Sequence, residues 1–112
     1  MQFLMIISHD DSFRPTESLI ENIHAWIVGM EQKSIRVYGN PLQPASDAVT
    51  VRIRNGEENI ATGPFSDSKE QMCGYELIEC KDLDEAVRLA SKHPMAEAAT
   101  IEVRPVWAQL AK

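Results

Sequence analysis

Apolar positions set the plan of this chain. Phe3 to Ile7 is an apolar run in which Phe3, Met5 and Ile7 fall on one face of an extended strand and Leu4 and Ile6 on the other. A strand that is apolar on both faces wants cover on both sides. After the polar stretch His9-Asp10-Asp11-Ser12, the triplet Pro15-Thr16-Glu17 reads as a helix start, with Thr16 as cap and Glu17 favouring the positive helix end. Leu19, Ile20, Ile23, Trp26, Ile27 and Met30 then recur at helical spacings and predict a helix ending near Lys33-Ser34.

Ile35 to Tyr38 is short and β-like, and Gly39-Asn40-Pro41-Leu42-Gln43-Pro44 reads as a turn-rich connection. Val49, Val51 and Ile53 alternate with Thr50, Arg52 and Arg54, and Asn55-Gly56 follows, a strong hairpin signal whose partner strand spans Glu57 to Ala61. Thr62-Gly63-Pro64-Phe65 then breaks the strand, because Pro64 lacks an N–H and has a fixed φ. Gly74 to Cys80 is a further strand. Asp82-Leu83-Asp84-Glu85 resembles a capping box and opens a second helix, with Leu83, Ala86, Val87 and Ala90 inward, that stops at Lys92-His93-Pro94. Thr100 to Arg104 alternates as a last strand before Pro105.

This order predicts an α+β domain: a ferredoxin-like βαββαβ-type protomer with an inserted β-hairpin. Two helices cover one sheet face only, so the other is left bare although the first strand is apolar there too. A second copy packed sheet to sheet removes that exposed apolar area, which predicts a homodimer through the sheet face.

Composition narrows the function classes. The chain has 112 residues, 44% hydrophobic and 25% charged, room for a single domain over 1–112. A net charge of −6 without a basic cluster argues against nucleic acid. The apolar N-terminal run lacks the basic flank of a signal peptide, and no run is long enough to span a bilayer, so a soluble, cytoplasmic protein without membrane contact is expected. Cys73 and Cys80 stand at an odd separation in one predicted strand, about 23 Å apart if fully extended, too far for a disulfide. Two cysteines without companion ligands make no metal site. No phosphate loop, nucleophile elbow or metalloprotease helix is present, and neither a cofactor nor a metal is implied.

The candidate chemistry is therefore acid–base. Lys69 and Glu70 lie between the Gly63-Pro64 corner and the next strand, either as a ligand-binding pair, Lys69 holding an anionic ligand and Glu70 orienting it, or as a pair that pins the loop. Glu102 and Arg104 share one strand face and are read as binding a carboxylate, as binding one another, or as an inter-subunit ion pair. His24 borders the helical stripe, as a proton-transfer group or a partly buried structural histidine. Tyr75 either offers its hydroxyl to a cleft or packs its ring. His9-Asp10-Asp11 reads as a solvated loop, His93 as a helix-end residue near the negative dipole end, and Phe65 as a core plug.

Taken in order and spacing, Thr62-Gly63-Pro64-Phe65, Lys69-Glu70, Gly74-Tyr75, Asp82-Leu83-Asp84-Glu85-Ala86 and Glu102-Val103-Arg104-Pro105-Val106 resemble the YCII-related family, and its DGPF subgroup in particular. The resemblance extends over Leu42-Gln43-Pro44 and Thr50-Val51-Arg52 and so covers nearly the whole chain. It implies a dimeric α+β barrel of ferredoxin-like protomers, enzymatic work through a His–Asp pair in the YCII branch, and association of some relatives with extracytoplasmic-function sigma factors. The chain departs from the pattern twice. Thr62 stands where the subgroup has the name-giving Asp, and Glu17 stands where YCII relatives carry a histidine after Arg-Pro.

Three functions follow as expectations. The first is a small domain binding a small ligand, anionic compounds among the candidates, through Lys69, Glu70, Glu102 and Arg104. The second is a cofactor-free acid–base enzyme acting on an acidic or phenolic compound through His24, Glu70 or Tyr75. The third is an interaction module contacting a sigma-factor-type transcription regulator.

Overall fold

The chain runs β1 (Gln2–His9), α1 (Glu17–Gln32), β2 (Arg36–Pro41), β3 (Val49–Arg54), β4 (Glu57–Thr62), β5 (Gln71–Glu79), α2 (Leu83–Ser91), α3 (Met95–Ala98) and β6 (Thr100–Pro105) in a computed structural model that describes residues 1–110. Four strands form one sheet in the order β2-β5-β1-β6, with every neighbouring pair antiparallel. This arrangement is consistent with a ferredoxin-like α+β fold.

Strand register decides what each face carries. Phe3 pairs with Ile78 and Pro105, and Met5 with Glu76 and Val103, so these residues share the face that α1 and α2 cover. Phe3, Met5, Ile78 and Cys80 form the core with Trp26 and Met30 of α1 and Ala86 and Ala90 of α2. The Trp26 indole N–H donates to the Leu89 carbonyl at 3.1 Å, which ties the two helices together. On the opposite face, away from the helices, Leu4 pairs with Leu77 and Arg104, and Ile6 with Tyr75 and Glu102, and Leu4, Ile6 and Leu77 are half-buried there.

The helix signals act as written in the sequence. Thr16 accepts from the Leu19 N–H at 3.1 Å. Asp82 accepts from the Glu85 N–H at 2.9 Å, while Glu85 reaches back to the Lys81 N–H at 2.8 Å, one residue before the cap. Helix α1 ends with Ser34 at φ 58°, the Ser34 N–H donating to Glu31 O and the Ile35 N–H to Met30 O. That is a Schellman-type end in which serine holds a position that glycine fits best.

Four expectations change. A third short helix, α3, begins directly after Pro94, whose missing N–H and fixed φ suit a helix start. Gly39, Asn40 and Pro41 belong to β2 rather than to a turn, because Gly39 pairs with Glu76 and Pro41 with Gly74. In α2, Ala86 and Ala90 face the core while Leu83 and Val87 are largely exposed. Phe65 is 77% exposed and plugs nothing, since the corner it follows closes the base of the β3–β4 ribbon at the molecular surface.

That ribbon pairs only with itself. Asn55 and Gly56 at its tip have φ of 53° and 79°, both positive as a type I′ turn requires. Gly63, at φ 100°, closes its base by donating its N–H to Ala48 O, and the Thr50 hydroxyl donates to Gly63 O. The ribbon and the single helical layer make the molecule flat, 47 × 39 × 19 Å with a Cα radius of gyration of 15.9 Å. A compact domain of this length would have a radius of about 13 Å.

Candidate ligand cleft

The apolar stripe of α1 does two jobs. Its C-terminal half, Trp26 and Met30, is buried in the core. Leu19, Ile20 and Ile23 of its N-terminal half, with Ile27, which also packs against the core, form one wall of a cleft of about 440 Å³ between α1 and the sheet. Ile7, Pro41, Leu42, Gly74 and Met95 complete the mostly apolar lining. A volume of this size suits a ring-sized small molecule.

All three histidines of the chain, His9, His24 and His93, line this cleft. His9 comes from the end of β1 and stacks on Phe13, with ring centroids 4.5 Å apart. His24 is carried by the exposed shoulder of α1. His93 sits between α2 and α3, is only 2% exposed, and packs edge-on against Trp26 with centroids 4.6 Å apart. Its Nδ1 accepts from the Met95 N–H at 3.0 Å. Its Nε2 finds no hydrogen-bond partner. Burial holds the imidazole pKa down at about 4, so the ring is neutral near pH 7.

An ion pair closes one end of the cleft. Arg36 Nε donates to Glu76 at 2.5 Å, and its other nitrogens donate to Glu31 and to Gly39 O. Both residues line the cleft. Burial pushes the Glu76 carboxyl above its ordinary range in spite of Arg36, while hydrogen bonding to Glu76 pushes Arg36 up. The sequence held a sign of this pair, since Glu76 is in phase with Ile78 and Cys80 and therefore falls on the core face. A carboxylate there needs a cation, and Arg36 is the one that β2 delivers.

A β-bulge shapes the cleft floor. Ile7 pairs with Gly74 and Ser8 with Met72, which leaves Cys73 as the extra residue. The bulge breaks strand alternation and brings Cys73 into the cleft lining, where burial raises its thiol pKa. Cys73 and Cys80 are both free thiols.

The residues singled out from the sequence divide between places. His24 and Tyr75 line the cleft, and the Tyr75 hydroxyl accepts from the Asn40 amide at 3.4 Å. Lys69 lines a smaller neighbouring cleft of about 330 Å³ with Gln43, Gln71 and Met72. Glu70 accepts a hydrogen bond from the Thr100 hydroxyl. Glu102 and Arg104 pair with each other at 2.5 Å on the sheet face turned away from α1. Only two of the six thus share the main cleft. Among the described residues no group of three His, Cys, Asp or Glu side chains converges to hold a metal, and no helix is long and apolar enough to cross a membrane.

A ferredoxin-like sheet with one helical layer and a cleft beneath its first helix defines a small α+β domain. Residues 1–109 match the YCII-related domain, and the chain belongs to that family. It is 42% identical over 67 residues to an uncharacterized protein of Rhizobium meliloti (strain 1021). That match takes in 58% of this chain and 54% of the other, so the chain spans about half the length of this curated relative. Among solved structures it resembles the 5-chloro-2-hydroxyhydroquinone dehydrochlorinase TftG of Burkholderia phenoliruptrix AC1100, in complex with 2,5-dihydroxybenzoquinone. The TM-score is 0.51 at 22% identity, covering 95% of this chain and 93% of that one, a likeness of fold.

Proposed function

We propose that this domain binds a small ring compound carrying oxygen substituents in the cleft between α1 and the sheet. The observation that carries this reading is the cleft itself: about 440 Å³, walled by the isoleucines of α1, and lined by every histidine of the chain. An apolar wall with few polar groups is the usual make-up of a small-molecule site. The hydroxyquinone in the TftG structure supports the choice of ligand class. A second reading, cofactor-free acid–base catalysis on the same compound, is favoured by His24 on the cleft wall, where it can exchange a proton with a bound hydroxyl.

Thermal unfolding with increasing 2,5-dihydroxybenzoquinone tests the reading. A ligand that binds only the folded state adds about 2.7 kcal/mol at a hundredfold excess over Kd, a rise of several degrees. The rise should vanish in Ile23→Trp, which fills the cleft, and persist in Lys69→Ala and Arg104→Ala. Persistence in Ile23→Trp with loss in Lys69→Ala would move the site to the smaller cleft and end the proposal.

The bare sheet face centred on Leu4, Ile6 and Leu77 supports the further proposal of a homodimer formed through it, as in a dimeric α+β barrel with β3–β4 as an inserted hairpin. Flatness and excess radius of gyration are what a half-barrel would show. Sedimentation should give a dimer for the natural chain and a monomer for Ile6→Arg; a monomeric natural chain at micromolar concentration sinks the idea. The free thiols suit the reducing cytoplasm.

A further inference from the structure

We propose that His93 is the ligand anchor of the cleft, donating its Nε2–H to an acceptor oxygen on the bound compound. This rests on the reading of the cleft as a ligand site and adds the group that selects the ligand. The tautomer follows from geometry. The Met95 N–H donates to Nδ1 at 3.0 Å, so Nδ1 presents its lone pair and the proton of the neutral ring sits on Nε2. Nε2 is the one buried side-chain nitrogen or oxygen among the described residues that lacks a partner. Folded proteins seldom leave such a donor unmade without a reason.

The surroundings hold the ring still. Trp26 meets it edge-on, and Trp26 is itself fixed by its hydrogen bond to Leu89 O. The nearby carboxylate of the lining, Glu76, is engaged by Arg36. His93 thus adds a fixed, unpartnered donor to a lining that His9 and His24 share. Such a group accommodates a carbonyl oxygen and favours a phenolate over it, because hydrogen bonds to charged acceptors are the stronger ones. A buried donor left unpaired by the ligand also discriminates against an isostere that lacks the acceptor.

The test compares para-nitrophenolate with para-nitrotoluene, which puts a methyl group where the phenolate oxygen stands. In protein carrying isotope-labelled histidine, para-nitrophenolate should move the His93 Nε2–H resonance downfield, and para-nitrotoluene should leave it in place. His93→Phe, which keeps a ring and removes the donor, should weaken para-nitrophenolate about ten- to a hundredfold and leave para-nitrotoluene unchanged. His93→Gln, which restores an N–H donor, should recover most of the loss. If both compounds perturb Ile23 and Ile27 but the Nε2–H signal responds to neither, the anchor is overturned and the ligand cleft stands. The anchor is overturned in the same way if His93→Phe weakens both compounds alike. If neither compound perturbs the cleft, both proposals fall together.

Discussion

A β-carbon on Gly39 would stand against the Glu76 carboxylate and 2.6 Å from the Tyr75 carbonyl oxygen. The absent side chain is what lets Glu76 lie flat under β2 and meet Arg36, whose guanidinium also donates to Gly39 O at 2.9 Å. Gly39→Ala should therefore act through a backbone clash that a rotamer change cannot relieve. A loss of roughly 2–3 kcal/mol is expected, read as a lower urea midpoint at unchanged slope. A midpoint equal to that of the natural chain would show that β2 shifts freely and that the pair does not depend on Gly39.

The two halves of the Arg36–Glu76 pair should not cost the same to remove. The two pKa shifts point in opposed ways: the bond raises Arg36, as a favourable pair does, yet Glu76 is also raised because its desolvation outweighs the bond. Deeper burial of Glu76 decides between them. A carboxyl with a folded pKa above its unfolded one makes its charged form a burden at neutral pH, a burden relieved as pH falls toward the folded value. Arg36→Ala leaves that charge without its partner and should cost about 3–5 kcal/mol. Glu76→Gln leaves Arg36 with Glu31 and Gly39 O and should cost about 1 kcal/mol. Equal losses in chemical denaturation would contradict this ordering.

Acid should weaken the fold through His93. Its folded pKa of about 4 lies below the ordinary 6.5, so above that value the group is neutral in both states and contributes no pH dependence. Below it the unfolded chain takes up a proton that the folded one refuses. Stability then declines as pH falls from 6.5 toward 4, by on the order of 2–3 kcal/mol. His93→Gln should flatten this part of a stability–pH profile, and an unchanged slope would show that another group supplies it.

Ser34→Gly should stabilise. A left-handed residue with a β-carbon costs about 1 kcal/mol relative to glycine, partly offset by the greater freedom of glycine in the unfolded chain. The Schellman-type bonds from Ser34 and Ile35 use backbone atoms only and survive the change. A gain of about 0.5 kcal/mol, or a few degrees in Tm, is expected from calorimetry.

What could be read from residues alone was what local chemistry determines. The stripe from Leu19 to Met30, the caps at Thr16 and Asp82, and the Asn55-Gly56 turn depend on neighbours a few positions away, and each behaves as its pattern says. The cleft was harder to see because it depends on pairing across the sheet. Nothing near Gly39 announces Glu76, and the bulge at Cys73 cancels the alternation rule at the point where it would have been applied. Identical apolar spacing along α1 also conceals that Trp26 fills the core while Ile20 and Ile23 leave room. Lys69, Glu70, Glu102 and Arg104 drew notice as charged residues on strands and loops, and strand register places Glu102 and Arg104 on the face away from the cleft.

The β3–β4 ribbon ties local order to assembly. Val51 and Ile60 face each other across it at 61% and 62% exposure, and a two-stranded ribbon alone is at most marginally stable in water. Its opening free energy is therefore set by whatever rests on it and not by its own ladder. Amides of Val51 and Ile60 should exchange with solvent far sooner than those of Phe3 and Ile78 in dilute protein, and slow as concentration rises if a second copy covers them. A protease cutting near Asn55-Gly56 then becomes a gauge of how much of the protein stands alone.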